Sequence, residues 1–577
     1  MPLSNQRSWL AKAIGPLLFL QSLALIGFFA AHSLPHVVRK LGSGVHPTVV
    51  ATTEVARILV ATCLFMTARG INLRRRRAWF AAAFLEIVLI ATSLVHPILF
   101  FLRHQVSGNT FVGDLLAARL FTQFLLLILL IRYRSDFKTV TDPVTRKRAS
   151  LFFIRNLALA FTFGLALVYF DSKSFVVTVD FKHALEITFK GLFGISSSVM
   201  YKSTQAQERL EFFLGGLGFL LLASSLAHFL KPAQRTTTLS LENSVKVREL
   251  LATATDSDSL SYFSLRDNKT VIWSKNNKAA IPYSIVNGVM ITTGDPVGDR
   301  ESWPSAINEF MNEAQRHAWI PAIYGCSEPA GEIWVRETGF IALEIGDEAI
   351  VDVNDFTIDG ATMKNVRQTL NRINRLGYTT KTSFVRELDS ALRSELGHQM
   401  QSWRNSATER GFSMALGRFC NVEDPDCLIT WAENDGHIVA VLQFVPWGSD
   451  SFSLDVMRRS PDAETGVNEL MIQATIAFAK AHGFKRISLN FASFRSVFER
   501  GKKLGAGPIT RMNHKILVFL SRFFQMESLY RFNAKFAPLW EPRFAIFPSI
   551  RNLARVGYAI LTIEAVIPKP KWSKPKI

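Results

Sequence analysis

A chain of 577 residues is too long for one hydrophobic core, so two to four domains are expected. Hydrophobic residues make up 48% and are unevenly spread: long apolar runs fill the first 230 residues, which excludes a wholly soluble chain. The net charge of +19 suggests nucleic acid, but residues 1–230 carry 24 Lys/Arg against 10 Asp/Glu and the remainder only 42 against 37. Most of the excess therefore lies where positive loops set membrane topology, and any RNA site must rest on local patches.

Six apolar stretches, near 13–31, 49–67, 79–101, 115–131, 154–170 and 212–230, approach the length needed to cross about 30 Å of hydrocarbon. The first is too long for a removable signal peptide. Arg74–Arg77 lies between the second and third spans, and Arg132, Arg134, Lys138, Arg146, Lys147 and Arg148 lie between the fourth and fifth. The other connections are less basic, so the positive-inside rule places both termini and the large C-terminal part in the cytoplasm. Glu54, Arg57, Glu86 and Arg119 fall inside the spans, where ionisable groups pair with each other or line a polar path.

Residues 231–245 form a polar linker, and two successive α/β blocks follow, at 246–382 and 383–548, with a C-terminal segment and basic tail over 549–577. In the first block Tyr262–Leu265, Thr270–Trp273, Ala279–Val286 and Gly288–Thr292 read as strands, and Trp303–His317 as a helix. In the second, a helix over Leu388–Gly411 precedes strands near Leu428–Ala432, His437–Phe444 and Ser451–Val456. A helix over Gly466–Gly483 and a strand over Ile487–Phe491 complete it. The shared order suggests an internal duplication.

Cys63, Cys326, Cys420 and Cys427 form no Cys-x-x-Cys pair and have no His at zinc spacing, so free thiols in a reducing compartment and no metal site are expected. The Thr293–Asp299 turn carries two acids that would repel phosphate, and reads as structural. Lys364, Arg367, Arg372 and Arg375 fall within about 140° of one another on a helix, a one-sided basic face suited either to phosphates or to solvent. Asp455 and Arg458 stand at the end of an apolar strand, where they form either a salt-bridged strand end or a site that orients a hydroxyl and holds a phosphate. The turn from Arg459 to Gly466 carries acids and a single glycine, which disfavours a coenzyme A pyrophosphate cradle. Ile516–Phe524 and the tail around Lys569–Lys576 could both meet lipid.

In order, Gly294-Asp-Pro-Val-Gly-Asp299, Ile345–Val351, Asp355-Phe356, Gly360, Lys364–Tyr378, Asp455–Asp462, Gly466 and Lys535–Arg543 resemble the phosphatidylglycerol aminoacyltransferases of the multiple peptide resistance factor type. The likeness covers about 280–548, and Leu489–Glu499 with Leu504–Pro508 resembles the actinobacterial branch, some members of which are fused to a lysyl-tRNA synthetase. The resemblance implies an α-helical transmembrane domain followed by a cytoplasmic tandem acetyltransferase-like (GNAT) α/β domain. It also implies transfer of an aminoacyl group, lysyl favoured, from aminoacyl-tRNA to a hydroxyl of an anionic membrane lipid, with no cofactor. By the match, Asp455 orients or deprotonates the lipid hydroxyl, Arg458 holds lipid phosphate and Lys535 meets lipid phosphate or the developing oxyanion. Glu499 and Arg543 rank lower, and the basic face at Lys364, Arg367, Arg372 and Arg375 shifts towards tRNA. The charged tRNA is expected from elsewhere, since no synthetase follows residue 577. Alanyl or ornithyl transfer, a diacylglycerol acceptor, a homo-oligomer, and a lipid flippase with a regulatory soluble part stay open.

Overall fold

The structure is a computed structural model that describes residues 9–28, 50–72, 74–103, 110–137, 143–193, 199–229, 237–254, 257–403, 411–493 and 526–565. The chain divides into a helical unit over 4–233 and an α/β unit over 234–314 and 319–577.

Among the described residues, six helices of 20 to 28 residues belong to the helical unit: α1 (Trp9–Phe28), α2 (Val50–Asn72), α3 (Arg76–Arg103), α4 (Thr110–Arg132), α5 (Pro143–Phe170) and α7 (Thr204–Phe229), with the short α6 (Phe181–Leu192) before the last. Three described segments, Leu10–Gly27, Ser150–Phe170 and Gln205–Phe229, are long and apolar enough to cross a membrane. Their outward residues are apolar too: Ile154, Phe163, Phe170 and Phe212 are all exposed, as a helix surrounded by lipid rather than water requires.

The α/β unit is built on one sheet. Its strands are β1 (Thr270–Trp273), β2 (Ala279–Val286), β3 (Val289–Thr293), β4 (Val297–Gly298), β5 (Ile320–Cys326), β6 (Ile341–Asp352), β7 (Thr379–Phe384), β8 (Leu428–Asn434), β9 (His437–Trp447), β10 (Ser451–Arg459), β11 (Arg486–Ser493) and β12 (Leu539–Phe547). The order is β1-β2-β3-β5-β12-β6-β11-β10-β9-β8-β7, with β4 beside β2. The helices are α8 (Leu241–Thr253), α9 (Trp303–His317), α10 (Glu328–Thr338), α11 (Lys364–Arg375), α12 (Ser390–Ser402), α13 (Val467–Ala481), α14 (Met526–Asn533) and α15 (Leu553–Ile563).

Topology repeats. β2 and β3 form an antiparallel hairpin, α9 crosses to a parallel β5, and α10 leads to β6. Likewise β9 and β10 pair antiparallel, α13 crosses to a parallel β11, and α14 leads to β12. Each half then gives its last strand to the other, because β6 pairs with β11 and β12 pairs with β5, and the two exchanged strands pair with each other in the middle. This tandem α/β arrangement behind a helical unit is the GNAT-like fold class the resemblance implied.

Both faces of the sheet are covered, so β9 is apolar along nearly its whole length instead of alternating. One face carries a core of Val441, Val445, Val456, Met400 and Leu416; the other packs Leu454, Phe452 and Leu489 against α13 and α11. In α13, Val467, Leu470, Met471, Ile472, Thr475, Ile476 and Ala479 are buried at helical spacing. Gly466 enters this helix at φ 113°, and a Cβ there would stand 2.5 Å from Thr369 Cγ2, so only glycine lets α11 lie this close.

Two sequence readings change. Tyr262–Leu265 is part of a 3₁₀ turn, Ser261–Leu265, rather than a strand; all five residues are buried, and so short an apolar run carries no period. The helix expected over Leu388–Gly411 is α12, and residues 404–410 lie outside the described residues.

Candidate active site

β10 and β11 pair in parallel only from Ser451–Ser453 to Arg486–Ser488, although both strands run on. Each loses register at that point. On β10 the shift falls between Leu454 and Val456, so Asp455 is an extra residue opposite β9; on β11 it falls between Ser488 and Phe491. A bulge bends its strand and re-aims a side chain, and two of them side by side open a gap in the middle of a buried sheet.

Asp455 sits at the apex of that gap. Its Oδ1 accepts from Leu416 N at 2.8 Å and its Oδ2 from Gln443 Nε2 at 2.5 Å. Gln443 is 1% exposed and fully used: Oε1 accepts from Cys420 N at 2.7 Å, and Nε2 also donates to Arg418 O at 3.0 Å. Residues 411–420 thus wrap the carboxylate. They are tied down by Arg266, which donates to Gly411 O and Ala415 O at 3.1 and 2.5 Å, and by Ser413 N on Glu564 Oε1 at 3.0 Å. Arg418 binds Asp424 at 2.5 Å; burial opposes charge on Asp424, but hydrogen bonds from Arg418 and Arg248 outweigh it and hold the carboxyl below the usual range.

Arg458 lies opposite Val441 as Val456 lies opposite Gln443, so it shares the face of Asp455; its guanidinium donates to Met400 O at 3.1 Å, at the end of α12. Lys535 belongs to the other face. Its Nζ is 2.7 Å from Glu469 Oε1 on α13 and stacks over Phe532, with the lysine half-exposed and the glutamate buried. Arg543 does not reach the surface. It is 2% exposed on β12 and is gripped by Asp258 at 2.6 Å, Glu348, and Ser259 Oγ at 2.7 Å. Glu499 lies outside the described residues. The sheet therefore brings Asp455 and Arg458 together and sets Lys535 and Arg543 elsewhere.

The basic helix is α11, with Val366, Leu370 and Ile373 buried and the cations outward. Arg367 donates to Ile358 O and Gly360 O at 2.6 and 3.1 Å, and Arg372 pairs with Glu464 at 2.9 Å and with Thr465 O. Lys364 and Arg375 are exposed and have no partner among the described residues. The turn before α13 is thus occupied by protein: Glu464 is held by Arg372, and its N–H by Tyr378 Oη at 3.2 Å. Among the described residues no group of His, Cys, Asp and Glu is placed to hold a metal, and all four cysteines are buried and unbridged.

Sequence reasoning missed Gln443, Glu348, Glu469, Ser488 and Asn490. Each is a buried polar side chain inside an apolar strand or helix, which is the one signal that could have found it.

A family model described as phosphatidylglycerol lysyltransferase, C-terminal, matches residues 248–547, just over half the chain and all of the sheet. The chain belongs to the phosphatidylglycerol lysyltransferase family. Its relatives include the lysylphosphatidylglycerol biosynthesis bifunctional protein LysX of Mycobacterium marinum, 40% identical over 369 residues, which are 64% of this chain and 33% of that one. LysX of Gordonia bronchialis is 34% identical over 529 residues, covering 89% of this chain and 45% of the relative. The chain thus spans about a third to under half of the length of these curated relatives. Among solved structures, L-PGS from Bacillus licheniformis matches at TM-score 0.49 and 23% identity, over 58% of this chain and 98% of that one.

Proposed function

We propose that this family member transfers an aminoacyl group, lysyl in the first instance, from aminoacyl-tRNA to a hydroxyl of phosphatidylglycerol. The observation that carries the reading is the Asp455 carboxylate, held by Gln443 and Leu416 at a gap between two parting parallel strands, with Arg458 on the same face. An aminoacyl ester is already activated, so exchange needs a positioned hydroxyl and a proton acceptor rather than an energy source.

In this reading the lipid hydroxyl oxygen attacks the ester carbonyl carbon while its proton passes to Asp455. The tetrahedral intermediate collapses by breaking the bond to the tRNA ribose oxygen, which takes the proton back from Asp455. Arg458 holds the lipid phosphate beside the hydroxyl, and its charge offsets the negative charge that develops. Lys535 and the exposed cations of α11 meet tRNA or lipid phosphate further out. The helical unit crosses the membrane several times and keeps the α/β unit at the cytoplasmic surface, where both substrates are present. Lysine turns a lipid of charge −1 into one of about +1 and weakens attraction of cationic peptides.

Lipid extracts from cells with and without the full chain, read by mass spectrometry, test this directly. A lysylated phosphatidylglycerol that depends on the chain supports the reading; another aminoacyl mass or a diacylglycerol backbone would replace the substrate. No new species, with the chain in the membrane, would sink it.

A further inference from the structure

Asn490 is the side chain that spans the gap between β10 and β11. Its Nδ2 donates to Leu454 O, one residue before Asp455, and its backbone N–H is fixed by Ser488 Oγ at 3.1 Å. Its φ is 66°, a conformation that asparagine adopts more readily than most residues but rarely inside a strand. Behind it Ser488 Oγ binds Glu348, which Arg543 grips in turn. The residue is thus held from backbone to side chain, in a strained conformation, at the place where the sheet opens.

One atom of this arrangement has nothing to bind. Asn490 Oδ1 is buried, in a residue 9% exposed, and has no hydrogen-bond partner among the described residues. Because Nδ2 is committed to a carbonyl, the amide cannot be turned to hide the acceptor. Such an orphan costs about 1–3 kcal/mol unless something brings it a hydrogen. Phosphate and ester oxygens bring none and a hydroxyl brings one, which the reacting lipid hydroxyl gives to Asp455, whereas a protonated amine brings three.

We propose that Asn490 Oδ1 receives a protonated amine of the aminoacyl group and selects amino acids over acyl groups that lack it. The inference rests on the aminoacyl-transfer reading above and names the part of the substrate that the gap recognises. The α-amine and the lysine ε-amine share this chemistry, and the donors of the test separate them.

The test uses the full chain in phosphatidylglycerol vesicles, with lysyl-tRNA, its α-hydroxy analogue, and norleucyl-tRNA, which lacks the ε-amine. The quantity read is the ratio of kcat/KM for lysyl-tRNA to that for each analogue. The native chain should prefer lysyl-tRNA over one analogue by about 10- to 100-fold, the value of a hydrogen bond to a charged group. Preference over the α-hydroxy donor assigns the α-amine; preference over norleucyl-tRNA assigns the ε-amine. Asn490→Gly, which tolerates the same φ, should bring that ratio close to one. Asn490→Asp keeps an acceptor but loses the donor to Leu454 O, so total turnover should fall while the preference between donors is kept. A preference that survives Asn490→Gly, an equal loss in both variants, or no preference in the native chain overturns the inference; equal loss would make Asn490 a strand lock only. If the native chain makes no product from lysyl-tRNA, the transfer reading itself fails and takes this inference with it.

Discussion

Gln443 donates to Asp455 across the hairpin at 2.5 Å and receives Cys420 N at 2.7 Å, so one amide ties the carboxylate to the loop that surrounds it. Asp455→Ala should cut lipid aminoacylation by about 10²- to 10⁴-fold while leaving membrane insertion intact. Gln443→Glu probes the positioning role separately. A second carboxyl against Asp455 makes ionisation of both costly, so the acid limb of the pH–rate profile should move to higher pH. An unmoved limb would mean that the Gln443 contact does not govern the reacting carboxylate.

Lys535 stands 2.7 Å from the buried Glu469, and its role can be separated from that ion pair. Lys535→Met strands the glutamate and should cost about 1–2 kcal/mol, less than a fully buried pair because the ammonium is half-exposed. Adding Glu469→Gln removes the stranded charge and should restore the thermal midpoint. Product formation should stay low in the double variant if Lys535 meets substrate phosphate. Recovery of turnover alongside stability would reduce Lys535 to a structural partner.

Local signals carried much of this site. The strand–turn–helix–strand order from Ser451 to Phe491 was legible because alternation, a glycine at Gly466 and an amphipathic helix all agree, and β10, α13 and β11 occupy those positions. The exchange of β6 and β12 was not legible. It depends on which distant strand meets which, as in Ile487 opposite Val351 and Ala545 opposite Tyr324, and no local pattern encodes a partner. The burial of Arg543 followed the same way. A family match marked the residue, but only the neighbours Asp258 and Glu348, 285 and 195 positions away, reveal an ion network.

On α11, two of the four cations are spent on the protein itself, Arg367 on Ile358 O and Arg372 on Glu464. Lys364 and Arg375 are the ones left facing outward. Reversing both, Lys364→Glu with Arg375→Glu, should raise KM for charged tRNA far more than it changes kcat. The logarithmic salt dependence of binding should flatten by about one per lost phosphate contact. An unchanged salt slope would remove this helix from the RNA surface.

Buried charge in the α/β unit gives its stability a particular pH dependence. Burial pushes the Asp295 carboxyl up to about 7, with Asp258 beside it acting the same way and Arg543 opposing. The folded chain then holds more protons than the unfolded one between the ordinary aspartate value, about 4, and 7. This contribution is full below that window and is lost as pH rises through 7. Lys269 behaves oppositely: 1% exposed, with Nζ 2.8 Å from Thr293 Oγ1, it is pulled down to about 7 by burial. Between 7 and its ordinary value near 10.5 the folded chain holds fewer protons, so stability returns as pH rises. Together the two groups predict a shallow minimum near pH 7 in the thermal midpoint of the α/β unit. Asp295→Asn should flatten the acid side alone and Lys269→Met the alkaline side alone. A midpoint that climbs steadily through neutrality in the native chain would contradict both assignments.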